Sequence, residues 1–129
     1  MRLLLDTHVL IWSAGNPEKL SERVRTLLLN TNNSWIVSIA SIWEMQIKSQ
    51  SGKLNLNSPL PDLIKIQQEV NNLQILPLEL SYIYALKNLP NHHRDPFDRI
   101  LIAQAMVENL PLLSIDVAFD SYPVQKIWE

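Results

Sequence analysis

The chain has 129 residues, of which 47% are hydrophobic and 19% charged, a composition typical of one globular domain with its own core. It has no cysteine, which excludes disulfides, thiolate nucleophiles and cysteine zinc sites, so any metal would have oxygen or histidine ligands. The formal net charge of -2 gives no overall attraction to nucleic acid. No apolar run reaches the roughly 18 residues that span a bilayer, and Asp6 comes too early for a secretory signal. We therefore expect a single domain over residues 1–129, cytoplasmic and without a membrane segment.

The first half of the chain alternates short β-rich runs with helical patterns. The predicted elements are a strand at 3–5, a short helix at 9–12, a helix at 21–29, a strand at 35–39 and a helix at 40–49. On the last of these helices one face is apolar, formed by Ile39, Ile42, Trp43 and Ile47. Breakers near Gly15 and Gly52 separate the elements.

The second half continues the alternation. It predicts a helix of about ten residues from 59, a strand at 73–78 shortened by Pro77, helices at 81–89 and 96–109, and strands at 112–115 and 124–128. On the helix from 59, the expected inner side carries Leu63, Ile64, Ile66 and Val70. Strands that alternate with helices predict an α/β fold in which helices cover both faces of a parallel sheet.

The helix at 96–109 carries a start signal and a second acid that the start does not need. Asp95 can cap the free N–H groups of the first turn, and Pro96 suits the first helical position. Asp98 then lies in the first turn of a helix that is apolar nearly all round, which predicts burial. A buried carboxylate must be paired, hydrogen-bonded or bound to a metal, although the helix dipole alone also favours an acid there.

Four acids from distant parts of the sequence are expected at one edge of the sheet. Asp6 and Asp116 each end a predicted strand, and ligands of open parallel sheets bind at the carboxyl ends of strands. Glu44 lies early in the helix that follows another strand, and Asp98 heads a helix that packs on the sheet. Like charges gathered in one cleft are tolerated best when a cation binds between them. The expected meeting of four acids in one cleft, more than any single acid, therefore indicates a functional site.

Each acid also has a purely structural explanation. Asp6 and Asp116 can cap the segments that follow their strands. Ser41 and Glu44 match a capping box, and Glu44 can form a surface pair with Lys48 at i+4. These alternatives stay open at the level of sequence.

An all-oxygen cluster suits Mg²⁺ or Mn²⁺, and one or two such ions can activate water for in-line attack on a phosphodiester. The reaction class this favours is hydrolysis of nucleic acid. The basic side chains that could hold the phosphate backbone are Arg94, Arg99, Lys48 and Lys53, with His92 and His93 as weaker candidates. All of them are equally compatible with a solvated surface. The four tryptophans, Trp12, Trp35, Trp43 and Trp128, could stack on bases, but their apolar positions favour the core.

Taken together, these stretches resemble the PIN-domain ribonucleases, and above all the VapC-type toxins of bacterial toxin-antitoxin pairs. The stretches that carry the resemblance are Asp6-Thr7-His8, Trp43-Glu44 with Lys48, HRDPFDR from His93 to Arg99 with the following Ile102-Ala103-Gln104-Ala105, and Ser114-Ile115-Asp116 before Phe119 and Tyr122. The resemblance spans essentially the whole chain. It implies a three-layer α/β/α sandwich around a mostly parallel sheet.

The resemblance also implies a Mg²⁺- or Mn²⁺-dependent endoribonuclease, a homodimer, and inhibition by a small antitoxin whose tail enters the active cleft. The catalytic and metal-binding residues it implies are Asp6, Glu44, Asp98 and Asp116, with Asp95, Ser114 and Thr7 as supporting residues. Ser114 stands where such proteins often have threonine, so a hydroxyl is kept.

Two other functions are compatible with parts of the sequence. Phosphoryl transfer with Asp6 as nucleophile is disfavoured, because no second aspartate lies two residues on and there is no glycine-rich phosphate loop. A catalytically inactive PIN-like domain that only binds protein or RNA is the second alternative, and metal-dependent cleavage would exclude it.

Overall fold

The computed structural model describes residues 1–92 and 95–129. The strands in these ranges are β1 (Arg2–Leu5), β2 (Ser34–Ser38), β3 (Gln74–Leu76), β4 (Leu112–Leu113) and β5 (Lys126–Ile127). The α-helices are α1 (Thr7–Gly15), α2 (Glu22–Leu29), α3 (Ile39–Gln50), α4 (Leu60–Asn71), α5 (Leu80–Ala85) and α6 (Pro96–Glu108). Short 3₁₀ turns lie at Pro17–Lys19, Leu86–Asn88 and Val117–Ser121.

The strands form one sheet in the order β3-β2-β1-β4-β5, and every neighbouring pair is parallel. The central strand β1 pairs with β2 on one side, where Leu5 lies opposite Val37, and with β4 on the other, where Leu5 lies opposite Leu113. The ends of β1 and β4 are therefore neighbours, and the residues that follow them leave the sheet at the same edge.

Helices cover both faces of this sheet. Side chains alternate along a strand, so Leu3 and Leu5 pack in one core while Leu4 packs in the other. The first core is completed by buried residues of α1 to α4, and the second by those of α5, α6 and the turn at Val117–Ser121. This confirms the predicted α/β/α sandwich with a parallel sheet.

Several predicted boundaries shift by a few residues. The helix α1 begins directly after Asp6 rather than near residue 9. The helix α3 begins at Ile39, which was predicted as the end of the strand, because the Ser38 hydroxyl accepts a hydrogen bond from the Ala40 N–H and caps the helix there. The predicted capping box of Ser41 and Glu44 is therefore wrong, since both residues are buried inside a helix that has already begun.

In the second half the strands are shorter than predicted. The strand β3 ends at Leu76, just before Pro77, which has no N–H to donate to a neighbouring strand. The helix predicted at 81–89 is α5 followed by the 3₁₀ turn Leu86–Asn88. No helix in residues 1–92 and 95–129 has the length and apolar character needed to cross a bilayer.

The inward faces of two helices differ from those predicted. On α3 the buried residues are Ala40, Ser41, Glu44 and Met45. Trp43 is 62% exposed rather than in the core, and its ring lies against that of Phe97, with centroids 5.2 Å apart. The inward face of α3, which contacts α1 and α6, thus carries two small residues together with Glu44 and Met45, and Trp43 and Ile47 lie outside.

The helix α4 shows the same kind of difference. Leu63 and Gln67 are buried, whereas Ile66 and Val70, which were predicted on the inner side, are exposed. The helix α6 was predicted to be buried nearly all round, and it is buried from Leu101 to Ala105 but exposes Met106 and Val107 near its end. The exposed apolar residues of α4 and α6 lie on sides that no other element of the described chain covers.

Candidate active site

Asp6 lies at the end of β1, where its carboxylate is buried and hydrogen-bonded on both oxygens. Oδ1 accepts from the Thr7 N–H at 2.8 Å, and Oδ2 accepts from the Ser114 hydroxyl at 2.7 Å. The His8 ring lies beside it, with Nδ1 3.4 Å from Oδ2. The predicted capping role of Asp6 at the start of α1 is thus present, and the same carboxylate also contacts the end of β4.

Ser114 connects Asp6 with the other strand-end acid, Asp116. The fully buried Ser114 hydroxyl donates to Asp6 and accepts from the Asp116 N–H at 3.0 Å. The Asp116 carboxylate accepts from the Ala118 N–H at 2.9 Å, so it caps the 3₁₀ turn that follows. Because β1 and β4 are parallel neighbours, one hydroxyl can bridge residues that are 108 positions apart.

Glu44 extends from the second turn of α3, where its side chain is buried. Its Oε1 accepts from the Thr7 hydroxyl at 2.7 Å, and its Oε2 accepts from the Lys48 ammonium group at 2.9 Å. Thr7 therefore contacts two acids, with its N–H on Asp6 and its hydroxyl on Glu44. The predicted i+4 pair of Glu44 and Lys48 is present, but only the lysine side of it is exposed.

The start of α6 supplies two more acids, and the structure confirms the predicted cap. The Asp95 carboxylate accepts from the Phe97 N–H at 2.9 Å and from the Asp98 N–H at 3.4 Å, and Pro96 is the first helical residue. Asp98 is half-buried rather than fully buried. The two acids thus differ in what they do locally, since Asp95 caps the helix and Asp98 does not.

All five acids line one open cleft of about 360 Å³ at the carboxyl edge of the sheet. Its lining residues are Asp6, Thr7, His8, Ile11, Glu44, Lys48, Lys53, Leu54, Asp95, Asp98 and Asp116. They come from both ends of the sequence and from α3 and α6 between them. The convergence predicted from strand ends and helix starts is therefore present in the fold.

The ionisation of two groups in the cleft is shifted. Burial raises the pKa of the Asp6 carboxyl, and the charge of Glu44 adds to this, while His8, the Ser114 hydroxyl and the Thr7 N–H oppose it. The hydrogen bond to Glu44 raises the pKa of the Lys48 ammonium group, as do the charges of Asp95 and Asp98, although burial acts in the opposite direction. Repulsion between acids is therefore a smaller cause for Asp6 than the loss of water around it.

The donor set of the cleft fits a hard divalent cation, because carboxylate and hydroxyl oxygens are the ligands that Mg²⁺ and Mn²⁺ prefer. Across the described parts of the chain, however, no group of three or more histidine, aspartate or glutamate side chains is arranged to hold an ion. The oxygens of two of the acids, Asp6 and Glu44, instead accept hydrogen bonds from Thr7, Ser114 and Lys48. The acids of the cleft therefore suit an ion by the type of their ligand atoms, although they are not arranged around one.

Only some of the basic residues that the sequence proposed for RNA binding line the cleft. Lys48 and Lys53 line the cleft. The Arg99 guanidinium instead donates to the carbonyls of Pro90 and Leu86, at 3.0 and 3.3 Å, and is not part of the lining. His92 is exposed and packs beside Tyr122. Two candidates, Arg94 and His93, fall outside the described residues.

Sequence reasoning gave no role to His8, which lines the cleft. Its ring packs against that of Trp12, with centroids 4.8 Å apart, and its Nε2 accepts from the Ile115 N–H at 3.4 Å. In the sequence, His8 comes two residues after Asp6, which ends a strand. That spacing could have indicated a position near the cleft, but it does not distinguish a cleft residue from a surface residue.

Comparisons with known proteins agree with this architecture. The chain aligns over its full length with a chain of VapBC2 from Rickettsia felis, solved bound to a DNA fragment from its promoter, at 18% identity and a TM-score of 0.74, covering 100% of both chains. VapBC-1 from nontypeable Haemophilus influenzae is similar at 20% identity and a TM-score of 0.65, covering 98% of this chain and 97% of that one. FitAcB from Neisseria gonorrhoeae gives 19% identity, a TM-score of 0.66 and coverage of 97% and 96%. Such low identities show a shared fold.

A search of curated proteins gives no significant sequence match. The sequence model of the PIN domain, in contrast, matches residues 3–125, which is almost the whole chain. The match includes all of the acids that line the cleft. This chain therefore belongs to the PIN-domain family.

Proposed function

We propose that residues 1–129 form a single PIN domain that hydrolyses RNA phosphodiester bonds with Mg²⁺ or Mn²⁺, as the toxin of a toxin-antitoxin pair. The observation that carries the proposal is the convergence of Asp6, Glu44, Asp98 and Asp116 on one cleft, although each belongs to a different element. An acid that served only as a cap would not need to face three others. PIN-family membership supports nuclease activity in general.

In this proposal the four acids supply the oxygen ligands. A divalent ion held by them would polarise a water for in-line attack and stabilise the charge that develops on the phosphate. Ser114 and Thr7 fix the orientation of Asp6 and Glu44 through hydrogen bonds of 2.7 Å, so that the acids project from rigid elements. Asp95 keeps the first turn of α6 in place and thereby positions Asp98.

The rim of the cleft would bind the phosphate backbone. Lys53 is exposed on the lining, and Lys48 is half-exposed beside Glu44. Arg94 precedes the cap residue Asp95 in the sequence and stays a candidate from sequence alone. The Arg99 side chain is engaged with backbone carbonyls, so it is the weakest of the four basic candidates.

The toxin assignment is supported by the fold shared with VapBC proteins and with a toxin-antitoxin complex from Klebsiella pneumoniae. We propose a small antitoxin as partner, encoded next to this gene, together with a homodimer and a cytoplasmic place of action. Induced expression of the chain should arrest growth, and co-expression of the neighbouring small open reading frame should restore it. Size-exclusion chromatography with light scattering should give twice the mass of one chain.

The experiment that tests the proposed activity is cleavage of a mixed RNA pool by the purified chain with Mg²⁺ or Mn²⁺. The matched controls are excess EDTA and the variant Asp6→Asn, whose folding is verified by circular dichroism. We expect cleavage that requires the metal and is lost in the variant. No cleavage of any RNA by folded chain free of antitoxin would favour the inactive, binding-only PIN domain instead.

A further inference from the structure

The buried carboxylate of Glu44 is held by a lysine ammonium group. Its two oxygens accept from the Thr7 hydroxyl and from the Lys48 Nζ, at 2.7 and 2.9 Å. The Glu44 side chain is 7% exposed and that of Lys48 is 47% exposed. An exposed i+4 ion pair contributes little to the stability of a helix, whereas removing the partner of a buried carboxylate is strongly destabilising. This pair therefore compensates a charge that the fold has already removed from water.

Lys48 also lines the cleft together with Asp95 and Asp98, which belong to the start of a different helix. The second lysine of the lining, Lys53, has no ion pair among residues 1–92 and 95–129. The ammonium group of Lys48 is thus paired with an acid of the cleft, whereas Lys53 lines the same cleft without such a pair in the described ranges.

We propose that the Lys48 ammonium group occupies a cation position beside Glu44 and that a divalent ion must displace it in order to use Glu44 as a ligand. The Lys48 ammonium group and the divalent ion would bind the same carboxylate, and their positive charges repel each other at close range. Lys48 would then act as a positioning residue that sets the affinity for metal and keeps the acids compensated in the metal-free chain. This inference rests on the proposed metal-dependent function, because it concerns the same cleft.

The test is calorimetric titration of Mn²⁺ into the wild-type chain and into Lys48→Met, which keeps the length of the side chain but removes its charge. We expect Lys48→Met to bind Mn²⁺ about tenfold more tightly, since a unit charge a few ångströms from a divalent ion opposes binding even under near-aqueous screening. Lys48→Arg, which keeps the charge, should bind Mn²⁺ like the wild type. Lys53→Met, which removes a charge from the rim of the same cleft, should change the affinity by much less.

Each other result would overturn the inference in a distinguishable way. Unchanged affinity in Lys48→Met would mean that metal binding leaves the pair with Glu44 intact. Weaker binding in that variant would mean that Lys48 supports the metal site rather than competing for it. Absence of Mn²⁺ binding by the folded wild type would refute the proposed metal site itself, and the inference with it.

A second measurement uses the wild type alone, in case Lys48→Met does not fold. Acetylation of Lys48 relative to Lys53 can be followed by mass spectrometry, with and without Mg²⁺. Release of the ammonium group from Glu44 should speed Lys48 acetylation several-fold relative to Lys53. An unchanged ratio at saturating Mg²⁺ would show that Lys48 is not displaced.

Discussion

Replacing Ser114 with alanine removes the hydroxyl that connects the ends of β1 and β4. This hydroxyl donates to the Asp6 carboxylate at 2.7 Å and accepts from the Asp116 N–H at 3.0 Å, and the residue is fully buried. A hydrogen bond to a charged group contributes about 1.5–3 kcal/mol, and water has no direct access to replace it. We therefore expect Ser114→Ala to lower the free energy of unfolding by about 2–3 kcal/mol, or the melting temperature by about 7–11 °C.

The loss of stability in Ser114→Ala should depend on pH, because the Ser114 hydroxyl stabilises the ionised form of Asp6. Burial raises the pKa of this carboxyl, so it becomes protonated sooner than an ordinary aspartate as the pH falls. The measurement is urea unfolding of the metal-free chain, followed by tryptophan fluorescence at about pH 8 and about pH 5. The difference between wild type and Ser114→Ala should be larger at the higher pH, and Ser114→Thr, which keeps a hydroxyl, should restore most of the stability.

A loss below about 0.5 kcal/mol, the range of ordinary surface substitutions, would refute this reasoning. So would a loss of the same size at both pH values, because it would then stem from packing rather than from the charge of Asp6. Loss of RNA cleavage in Ser114→Ala without any loss of stability would assign the hydroxyl a role in the reaction alone.

Two further predictions concern single residues of the cleft. The metal-free wild type should become more stable as the pH falls through the raised pKa of Asp6 towards the ordinary aspartate pKa, because an acid whose pKa is raised on folding stabilises the fold when protonated, and this stability is lost as the pH rises through the raised pKa. In Asp6→Asn, the free energy of unfolding measured with urea should depend less on pH, and the folded variant should no longer cleave RNA. If the stability of the variant depended on pH as strongly as that of the wild type, an ionisable group other than Asp6 would be responsible. Lys53→Ala should weaken RNA binding modestly and reduce the slope of log affinity against log salt by about one, as measured by fluorescence anisotropy. An unchanged slope would remove Lys53 from the RNA-binding surface.

The order of elements and the placement of the acids could be predicted because they follow from local rules. A residue that ends a strand of a parallel sheet must lie at its carboxyl edge, which places Asp6 and Asp116 together. The start of α6 could be predicted to the residue, since Asp95 and Pro96 have few alternatives as cap and first helical position.

The inward faces of the helices could not be predicted, because they depend on what each helix packs against. The helices α3 and α4 carry apolar residues on more than one side, so their number does not show which side faces the core. Trp43 and Ile66, which were expected to be buried, are exposed. Likewise, Glu44 resembles a surface residue in the sequence, with Lys48 one turn away. Its burial and its hydrogen bond with Thr7 arise only from contact between distant segments, 37 positions apart.

The most direct test of the proposed site compares two acids in the first turn of one helix. Asp95 and Asp98 both line the cleft, but Asp95 caps α6 while Asp98 is proposed as a metal ligand. Asparagine is a good cap and a poorer ligand for a hard cation, so Asp95→Asn should stay folded and keep most of its RNA cleavage. Asp98→Asn should stay folded and lose metal-dependent cleavage altogether. Cleavage at the wild-type rate in Asp98→Asn, with the same RNA and Mn²⁺, would contradict the proposed active site.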